Sequence, residues 1–379
     1  MDDYFTNAVF IEEKYKSILN AKIEEYFQCL CNELEAHDIK ANIYLTGSLA
    51  RKEPSIGINE KGEVYLASDI DFVFGVEKDF RRDEWLLNIT KYLNLKYPDF
   101  ISSVVLTRNN DIGRIRSRVG RDLRRTINRP ICQNLPIPIV SNIEIGIQDY
   151  IDNIINQMAC YFLHPSYLGG ESHSILYKDI KGHYVKLILE SLSGILYESR
   201  KEPLPGFYEI YYYRHCKCFD QIILPEQIEQ LLQVRSLKNV KQIPSLDIYH
   251  ILVNTFERIL GERYGVAGDL VELVKVKAND EKGLYNTFQV SMICLFEYMH
   301  IQDTDERERW LELLFDSLFT IEKSEKINLH IKNLKLKDCR NPFEVLPLII
   351  SDMRVVRNYY IRSQYIKNNG VDIIPDLYA

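Results

Sequence analysis

The sequence predicts an α+β fold in two parts: a mixed sheet flanked by helices over roughly residues 1–165, then an α-helical domain over residues 166–379. Strand-like runs of alternating or β-branched residues occur only before residue 148, whereas the apolar residues after it recur every three or four positions. The 379 residues give room for two domains of ordinary size. Hydrophobic residues make up 46% and charged residues 27%, a balance that excludes wholesale disorder.

Composition also bounds where the protein is expected to act. No apolar run approaches the length of about 18 residues that a membrane-spanning helix needs. The acidic start predicts that no secretory or transit peptide is present. The eight cysteines are scattered, without a disulfide-scaffold density or a Cys-x-x-Cys pair, and this predicts reduced thiols in a cytoplasmic protein.

Local patterns define the elements of the first part. A helix is predicted over residues 9–35, where the apolar residues share one face, and another over residues 83–97, which Pro98 ends. A hairpin is predicted over residues 57–75, with its turn at residues 59–62. The other predicted elements are strands over residues 41–46, 101–107 and 137–147.

The second part reads as helices only. The predicted helices cover residues 148–163, 174–199, 207–219, 225–235, 245–263, 283–300, 306–321 and 341–367. Loops at residues 166–172 and 201–206 interrupt them.

Two features of the first part carry candidate chemistry. Gly47 and Ser48 lie where a strand runs into a helical turn, so the backbone can approach a phosphate closely while Ser48 offers a hydroxyl and the turn offers N–H groups. Asp69 and Asp71 lie on a predicted strand, where alternate side chains share one face with their Cα atoms about 7 Å apart. Such a carboxylate pair can share two Mg²⁺ ions for phosphoryl transfer.

A third carboxylate is expected from Glu144. In the predicted strand over residues 137–147 the isoleucines share one face, and Glu144 lies on the other, beside the acid pair if the strands are neighbours. Its expected role is to bind the metal that activates the nucleophile, or to take the hydroxyl proton. Asp149 and Asp152 are rivals, but they fall where the next helix starts, and Asp is a common cap there.

Residues 108–129 form an arginine-rich stretch. It holds eight arginines and two aspartates, a local charge of +6 in a chain whose net charge is −7. Because arginine forks match phosphate oxygens, the stretch is expected to bind a nucleic-acid backbone, a growing oligonucleotide or a triphosphate; a solvated helix face is the alternative. The predicted phosphate-binding residues are Arg114, Arg116, Arg118, Arg121, Arg124 and Arg125.

The glycine–serine turn, the Asp-x-Asp strand and the later acid together resemble the DNA polymerase β-like nucleotidyltransferase superfamily. The form Gly47-Ser48-x-Ala50-Arg51 with Ser68-Asp69-Ile70-Asp71 is particularly similar to its minimal-nucleotidyltransferase branch. The long helical second half is closer to oligonucleotide-making members, such as poly(A) polymerases, oligoadenylate synthases and bacterial cyclic-oligonucleotide synthases. The resemblance covers about residues 41–150. The chain departs from the branch in having Lys at position 52 and Glu as the third acid.

The resemblance implies a Mg²⁺-dependent (or Mn²⁺-dependent) enzyme with two ions. It would move a nucleotidyl group from an NTP or dNTP to a hydroxyl of a nucleotide or nucleic acid, releasing pyrophosphate. Asp69, Asp71 and Glu144 would hold the metals. The implied nucleotide-binding residues are Gly47, Ser48, Arg51 and Lys186. The product would be an oligonucleotide or a nucleotide signal, with antiviral defence as the context by analogy.

Two other functions stay open at this point. The Gly-Ser-x-Ala-Arg form also fits an enzyme that modifies a protein or tRNA in a toxin–antitoxin pair, with a toxin or effector as partner protein. A non-catalytic module that binds nucleic acid on a degenerate scaffold is the other. Metal-dependent turnover would separate the enzymes from the binding module.

Overall fold

The structure is a computed structural model, and it describes residues 3–77, 84–115, 117–140, 144–164, 180–238, 242–280, 283–330 and 342–369. The chain divides into two compact units. The first comprises Met1–Ile145, Pro203–Ser245 and the residues from Tyr365 on, and the second comprises Gly146–Glu202 and Leu246–Gln364. The predicted boundary at residue 165 therefore differs from this division, because the chain returns to the first unit after residue 202.

A three-stranded mixed sheet forms the centre of the first unit, as the sequence predicts. Strand β1 (Ala41–Leu45) pairs antiparallel with β4 (Ile70–Val76), and β4 pairs parallel with β5 (Ser102–Arg108). Every residue of β1 is buried, and so are all residues of β4 except Asp71. The sheet is therefore covered on both faces, and Asp71 is the position where β4 departs from its apolar pattern.

Helices cover the two faces of this sheet. Helix α1 (Glu13–Ala36) and helix α3 (Glu84–Lys96) pack with Phe72 and Phe74 in one apolar cluster. On the other face Val73 packs with residues of a 3-10 helix (Asn109–Arg114) and of α4 (Ser117–Thr126). Since side chains alternate along a strand, Asp71 lies on the same face as Val73, toward α4.

The predicted hairpin turn is confirmed, and the two strand-like runs that follow it, residues 63–66 and 68–76, both contain strands, but only the first of them belongs to the hairpin. Strands β2 (Ile56–Ile58) and β3 (Val64–Leu66) pair antiparallel around Asn59, whose side-chain Oδ1 accepts the main-chain N–H groups of Lys61 and Glu63. The next strand, β4, belongs to the other sheet. The two sheets separate because the chain bends after Leu66, where the N–H of Ala67 donates to Ser55 O (2.9 Å).

The predicted strand over residues 137–147 is wrong in the part that the structure describes, residues 137–140 and 144–147. Two buried amides hold the preceding chain instead: Asn42 Oδ1 accepts the N–H groups of Asn134 and Leu135, both at 2.9 Å, and Asn109 Nδ2 donates to Pro136 O. Pro138 cannot donate to a ladder. Ile139 is 93% exposed, so the alternating isoleucines do not form a buried face.

The chain returns to the first unit in short elements. Helix α7 (Glu209–Tyr212), a 3-10 turn (Lys217–Phe219) and α8 (Pro225–Ser236) occupy the stretch predicted as two helices. Residue Leu237 then forms a parallel bridge to Ile56 of β2. This bridge fixes the residues after α8 against the smaller sheet.

The second unit is helical. Its elements are α5 (Ile147–Phe162), α6 (Ile180–Arg200), α9 (Ile248–Tyr264), α10 (Leu270–Asp280), α11 (Leu284–His300), α12 (Thr304–Glu325) and, as far as Gln364, α13 (Pro342–Asn369). Helix α11 is buried along most of its length and packs on α5, α10 and α12. Within the described residues, no helix has both the length and the apolar character needed to cross a membrane.

Candidate functional site

The predicted glycine–serine turn lies at the end of β1 and leads into α2 (Gly47–Ala50), a helix of one turn. Thr46 continues the pairing of β1 with β4, because its main-chain N–H donates to Asp71 O at 2.9 Å. Gly47 follows with φ of +65°, a left-handed conformation that reverses the chain into α2. The turn and the acid strand are therefore joined directly by main-chain hydrogen bonding.

The backbone of Gly47 packs against the Asp71 carboxylate. A Cβ atom added at Gly47 would lie 1.9 Å from Asp71 Oδ2, far inside any allowed contact. Glycine is thus required at position 47 for two reasons: its φ is positive, and the Asp71 carboxylate occupies the place where a Cβ atom would lie. The sequence-predicted turn and one of the two sequence-predicted acids meet at this point.

Asp69 and Asp71 flank the first residue of β4. Both are half-buried, while Ile70 between them is fully buried and its N–H donates to Ile101 O at 2.8 Å. The preceding Ser68 is tied to Ser55, with 2.9 Å between the two hydroxyl oxygens. These bonds on both sides fix the backbone from which the two carboxylates extend.

A buried charge network lies behind the turn. The Arg51 guanidinium donates through Nη1 to Asp122 Oδ2 and through Nε to Glu53 Oε1 at 2.7 Å. Glu53 Oε2 also accepts the main-chain N–H of Phe207 at 2.9 Å. Burial opposes the charge of this guanidinium, but the carboxylates of Asp122 and Glu53 outweigh it and raise the pKa of Arg51.

This network changes the role expected of Arg51. Its side chain is buried and engaged by two carboxylates, so it positions the turn rather than presenting its guanidinium to a ligand. The predicted direct contact between Arg51 and a nucleotide is thereby corrected. The positive charge still acts on Asp71, since the two side chains interact electrostatically.

Asp122 is a site residue that sequence reasoning missed. It is 1% exposed, lies on α4, and its Oδ2 accepts the N–H of Gly47 at 3.0 Å in addition to the Arg51 guanidinium. It is the only acid between Arg114 and Arg125, and that isolation is the signal that could have singled it out. The arginine-rich helix is therefore fastened to the candidate phosphate turn.

Ser48 carries a buried hydroxyl with unused hydrogen-bonding capacity. Its side chain is 4% exposed, and Ser48 Oγ has no hydrogen-bond partner among the described residues. A buried polar atom of this kind costs free energy unless a ligand or water engages it. The predicted phosphate contact of Ser48 would supply such a partner.

Lys238 is a second residue that the sequence did not single out. Its main-chain N–H donates to Ile56 O at 2.9 Å, next to the bridge of Leu237. Crowding by the surrounding protein lowers the pKa of Lys238, and the negative charge of Asp69 opposes this shift. An ammonium group that interacts electrostatically with Asp69 can neutralise part of the charge of a phosphate bound beside Asp69. No local pattern marks it, because residues 238 and 69 meet only in the tertiary structure.

The remaining predicted site residues belong to other elements of the chain. Glu144 is exposed and lies in an irregular segment just before α5, not on a strand. Lys186 belongs to α6 in the second unit, whereas Asp69 and Asp71 belong to the first. Asp149 does cap α5, since its Oδ2 accepts the N–H of Gly146 at 2.9 Å.

The described residues contain no group of three or more His, Cys, Asp or Glu side chains placed to hold a metal ion. Glu144 therefore does not join Asp69 and Asp71 as a third ligand in this structure. Two carboxylates are nevertheless a sufficient protein contribution for Mg²⁺, which commonly binds through one or two carboxylates, with waters and substrate phosphates completing its shell. The acid pair thus fits Mg²⁺ with a phosphate present.

The arginine-rich stretch forms α4 and the 3-10 helix before it, and its members differ in exposure. Arg114 is exposed and pairs with Asp111 at 3.4 Å, and Arg125 is exposed with Nη2 donating to Pro205 O at 2.9 Å. Arg121 and Arg124 are half-buried. Arg116 and the side chain of Arg118 lie outside the described residues.

No protein-family model, no curated protein and no solved structure matches the chain.

Proposed function

We propose that the protein is a Mg²⁺-dependent nucleotidyltransferase that transfers a nucleotidyl group from a nucleoside triphosphate to a hydroxyl group of a nucleotide or nucleic acid. The observation that carries the proposal is the close packing of the Gly47 backbone on the Asp71 carboxylate. It brings a turn suited to phosphate and a carboxylate suited to Mg²⁺ within one contact of each other. Phosphoryl transfer requires a phosphate-binding turn and a metal-binding carboxylate close to each other.

The residues around this contact have separable roles. The turn at Gly47 places the buried Ser48 hydroxyl beside the strand that carries the Asp71 carboxylate, and this hydroxyl is a donor for a phosphate oxygen. Lys238, which senses the charge of Asp69, offsets the negative charge of the triphosphate. Arg51 and Asp122 hold the turn in place from behind. Positioning and charge neutralisation supply most of the rate in this reaction class.

Asp69 and Asp71 would hold Mg²⁺. The ion, when bound, withdraws charge from the phosphate oxygens and lowers the pKa of a bound hydroxyl. The half-buried carboxylates keep their orientation because Ser68 and Ile70 are anchored on either side of them. A carboxylate so held can also accept the proton of the attacking hydroxyl.

The test is incubation of the purified protein with each NTP and dNTP, with Mg²⁺ or Mn²⁺, alone and with RNA or DNA primers. Products are read by mass spectrometry. We expect a new oligonucleotide or an extended primer, which Asp69→Ala and Asp71→Ala abolish without changing the far-UV circular dichroism. Glu144→Gln and Glu63→Gln, an exposed acid of the hairpin, are the matched acid controls.

Three outcomes are distinct. Activity of Asp71→Ala within about tenfold of the wild type, a barrier change of only about 1.4 kcal/mol, would refute the assignment. Loss of activity in Glu144→Gln alone among the controls would restore its predicted catalytic role. Tight RNA or DNA binding without metal-dependent turnover would favour the binding module instead.

A further inference from the structure

A cavity of about 430 Å³ lies in the first unit, bounded by α1, α2, the end of α4 and the chain that follows α4. We call it the α1–α4 cavity. Cavities of about 300–1,000 Å³ are the usual size of small-molecule sites in proteins, and this one is large enough for a mononucleotide. Its walls include Leu49 and Ala50, the residues that directly follow the candidate phosphate turn.

The charged lining of the α1–α4 cavity is mainly positive. Lys52, Arg125 and Arg129 line it, with Glu24 as the acid. Arg51 also contributes to the lining, but its charge is already balanced by Asp122 and Glu53. The surplus of positive charge along this lining would attract an anion to the cavity.

Two of these cations are available for a ligand. Lys52 and Arg129 are exposed, and neither forms a side-chain hydrogen bond or ion pair with another described residue. Arg125 donates through Nη2 to Pro205 O, which leaves further N–H donors on its guanidinium. Guanidinium forks and an ammonium together match the oxygens of a phosphate group.

Aromatic side chains also line the α1–α4 cavity. Phe27 lines the cavity from α1, with Tyr4 packed edge-on against it. Asn7 fixes the adjoining chain, because its Nδ2 donates to Arg51 O at 2.8 Å and its main-chain N–H donates to Lys52 O at 3.0 Å. A formed pocket with an aromatic wall and a cationic wall suits a ligand with a flat apolar part and a phosphate.

We infer that the α1–α4 cavity binds a small organic phosphate of mononucleotide size. The site is distinct from the proposed transfer site, because none of Gly47, Ser48, Asp69 and Asp71 lines it. It does not depend on the proposed function. A ligand in this cavity would contact Leu49 and Ala50 of α2, and would therefore also affect the position of the Gly47–Ser48 turn.

The test uses the full chain carrying Asp69→Ala and Asp71→Ala, in a chelator, so that binding through a metal at the acid pair is excluded. The probe is AMP, with GMP, CMP and UMP beside it, and binding is measured by titration calorimetry at millimolar concentration. We expect one AMP per chain. Arg125→Gln with Arg129→Gln should weaken it by at least about tenfold, as expected for losing charge-assisted contacts. Adenosine should bind much more weakly than AMP.

Two further variants locate the site. Gln28→Trp places a large ring in the cavity from the exposed side of α1 and should abolish binding while leaving the fold unchanged. Arg108→Gln removes an exposed arginine of β5 outside the cavity and should leave affinity within about twofold. Circular dichroism checks the fold of each variant.

Several results would overturn the inference. They are no binding of any of the four nucleotides, affinity unchanged in Gln28→Trp, or an equal loss in Arg108→Gln. Binding of a short RNA that depends on Arg125 and Arg129 but tolerates Gln28→Trp would assign these cations to a polyanion surface instead.

Discussion

The main-chain N–H of Gly47 donates a 3.0 Å hydrogen bond to Asp122 Oδ2, across 75 positions of sequence. This bond joins the candidate phosphate turn to α4, the helix that carries four of the eight arginines of the stretch. A ligand that shifts α4 must therefore also shift the turn, or break a buried bond to a charged group, at about 1.5–3 kcal/mol. Movements of the Gly47–Ser48 turn and of α4 are therefore expected to be coupled through this bond.

Replacement of Gly47 by alanine is expected to disable the site. Gly47→Ala forces a Cβ into the Asp71 carboxylate in addition to a left-handed φ. Gly62→Ala is the matched control, because Gly62 has φ of +80° with open space around it and so pays only the backbone cost, about 1 kcal/mol. Nucleotide turnover should fall about 100-fold or more in Gly47→Ala. Equal turnover in the two variants would contradict the importance of the contact.

Asp122→Asn is expected to lower the free energy of unfolding by about 2 kcal/mol, since it removes one of the two carboxylates that balance the buried Arg51 charge. Asp111→Asn breaks the exposed pair with Arg114 and should cost less than about 0.5 kcal/mol. Urea unfolding followed by circular dichroism compares the two variants. Similar losses would show that burial of the Arg51 network adds nothing to stability.

Lys238→Gln is expected to raise the KM for the nucleoside triphosphate about tenfold with a smaller change in kcat. The reason is the loss of an ammonium that interacts with Asp69. Lys238→Arg should recover most of the affinity, and Lys61→Gln, in the exposed hairpin turn, should behave as the wild type. Steady-state kinetics over a range of triphosphate concentrations gives the answer. An unchanged KM in Lys238→Gln would remove it from the site.

Two neighbouring residues of the segment over residues 137–147, Ile139 and Val140, test which side chains of this segment are buried. Ile139 is exposed, whereas Val140 packs against the cluster around Tyr44 and Val73. Ile139→Asp should change stability by less than about 0.5 kcal/mol, and Val140→Asp should cost about 2 kcal/mol or more. Thermal unfolding of both variants measures this. The reverse order would restore the isoleucine face that the sequence predicts.

A buried acid in the second unit predicts a pH effect on stability. Burial raises the pKa of Glu297 from 4.5 to about 7, against a 3.0 Å hydrogen bond from the Tyr249 hydroxyl, and the charges of Glu306 and Glu257 add to it. The folded state thus holds a proton that the unfolded state loses. This contribution to stability is complete below about pH 4.5 and is lost as the pH rises through about 7.

Glu297→Gln removes that titration. Relative to the wild type, the variant should gain stability between pH 5 and pH 8, by up to about 3 kcal/mol. Glu312→Gln, on the exposed side of α12, should show no such pH dependence. Thermal unfolding across this pH range tests the prediction. A constant difference between Glu297→Gln and the wild type would mean that Glu297 is ionised in both states.

Much of the fold could be predicted from sequence because its elements follow local patterns. Strands β1, β4 and β5 are apolar and short, and α1 and α11 have clear apolar periodicity, so each lies close to its predicted range. The failure at residues 137–147 is instructive. Alternating isoleucines imitate a strand, but the side chains of Asn42 and Asn109 bond the preceding backbone, and the two prolines there interrupt any ladder.

Some residues of the candidate site could be predicted from the sequence and others could not. Gly47, Ser48, Asp69 and Asp71 stand out because their residue types and spacing are local signals. Asp122 and Lys238 do not, because each reaches the site from a distant stretch of chain whose own pattern indicates only a helix or its end. Burial reverses the expectation for Arg51, and burial depends on the packing of Glu53 and Asp122 around it.

The first unit is assembled from separate stretches of chain, and this has a consequence for its synthesis. Glu53 accepts its hydrogen bond from Phe207, 154 positions later. At translation rates of about 5–20 residues per second, the ribosome needs roughly 8–30 s to deliver that partner. For most of this interval the nascent chain already carries Asp69 and Asp71, while the main-chain donors of Glu53 have not yet been synthesised. Completion of the site is thus a late event in biogenesis, timed by the emergence of residues 203–245.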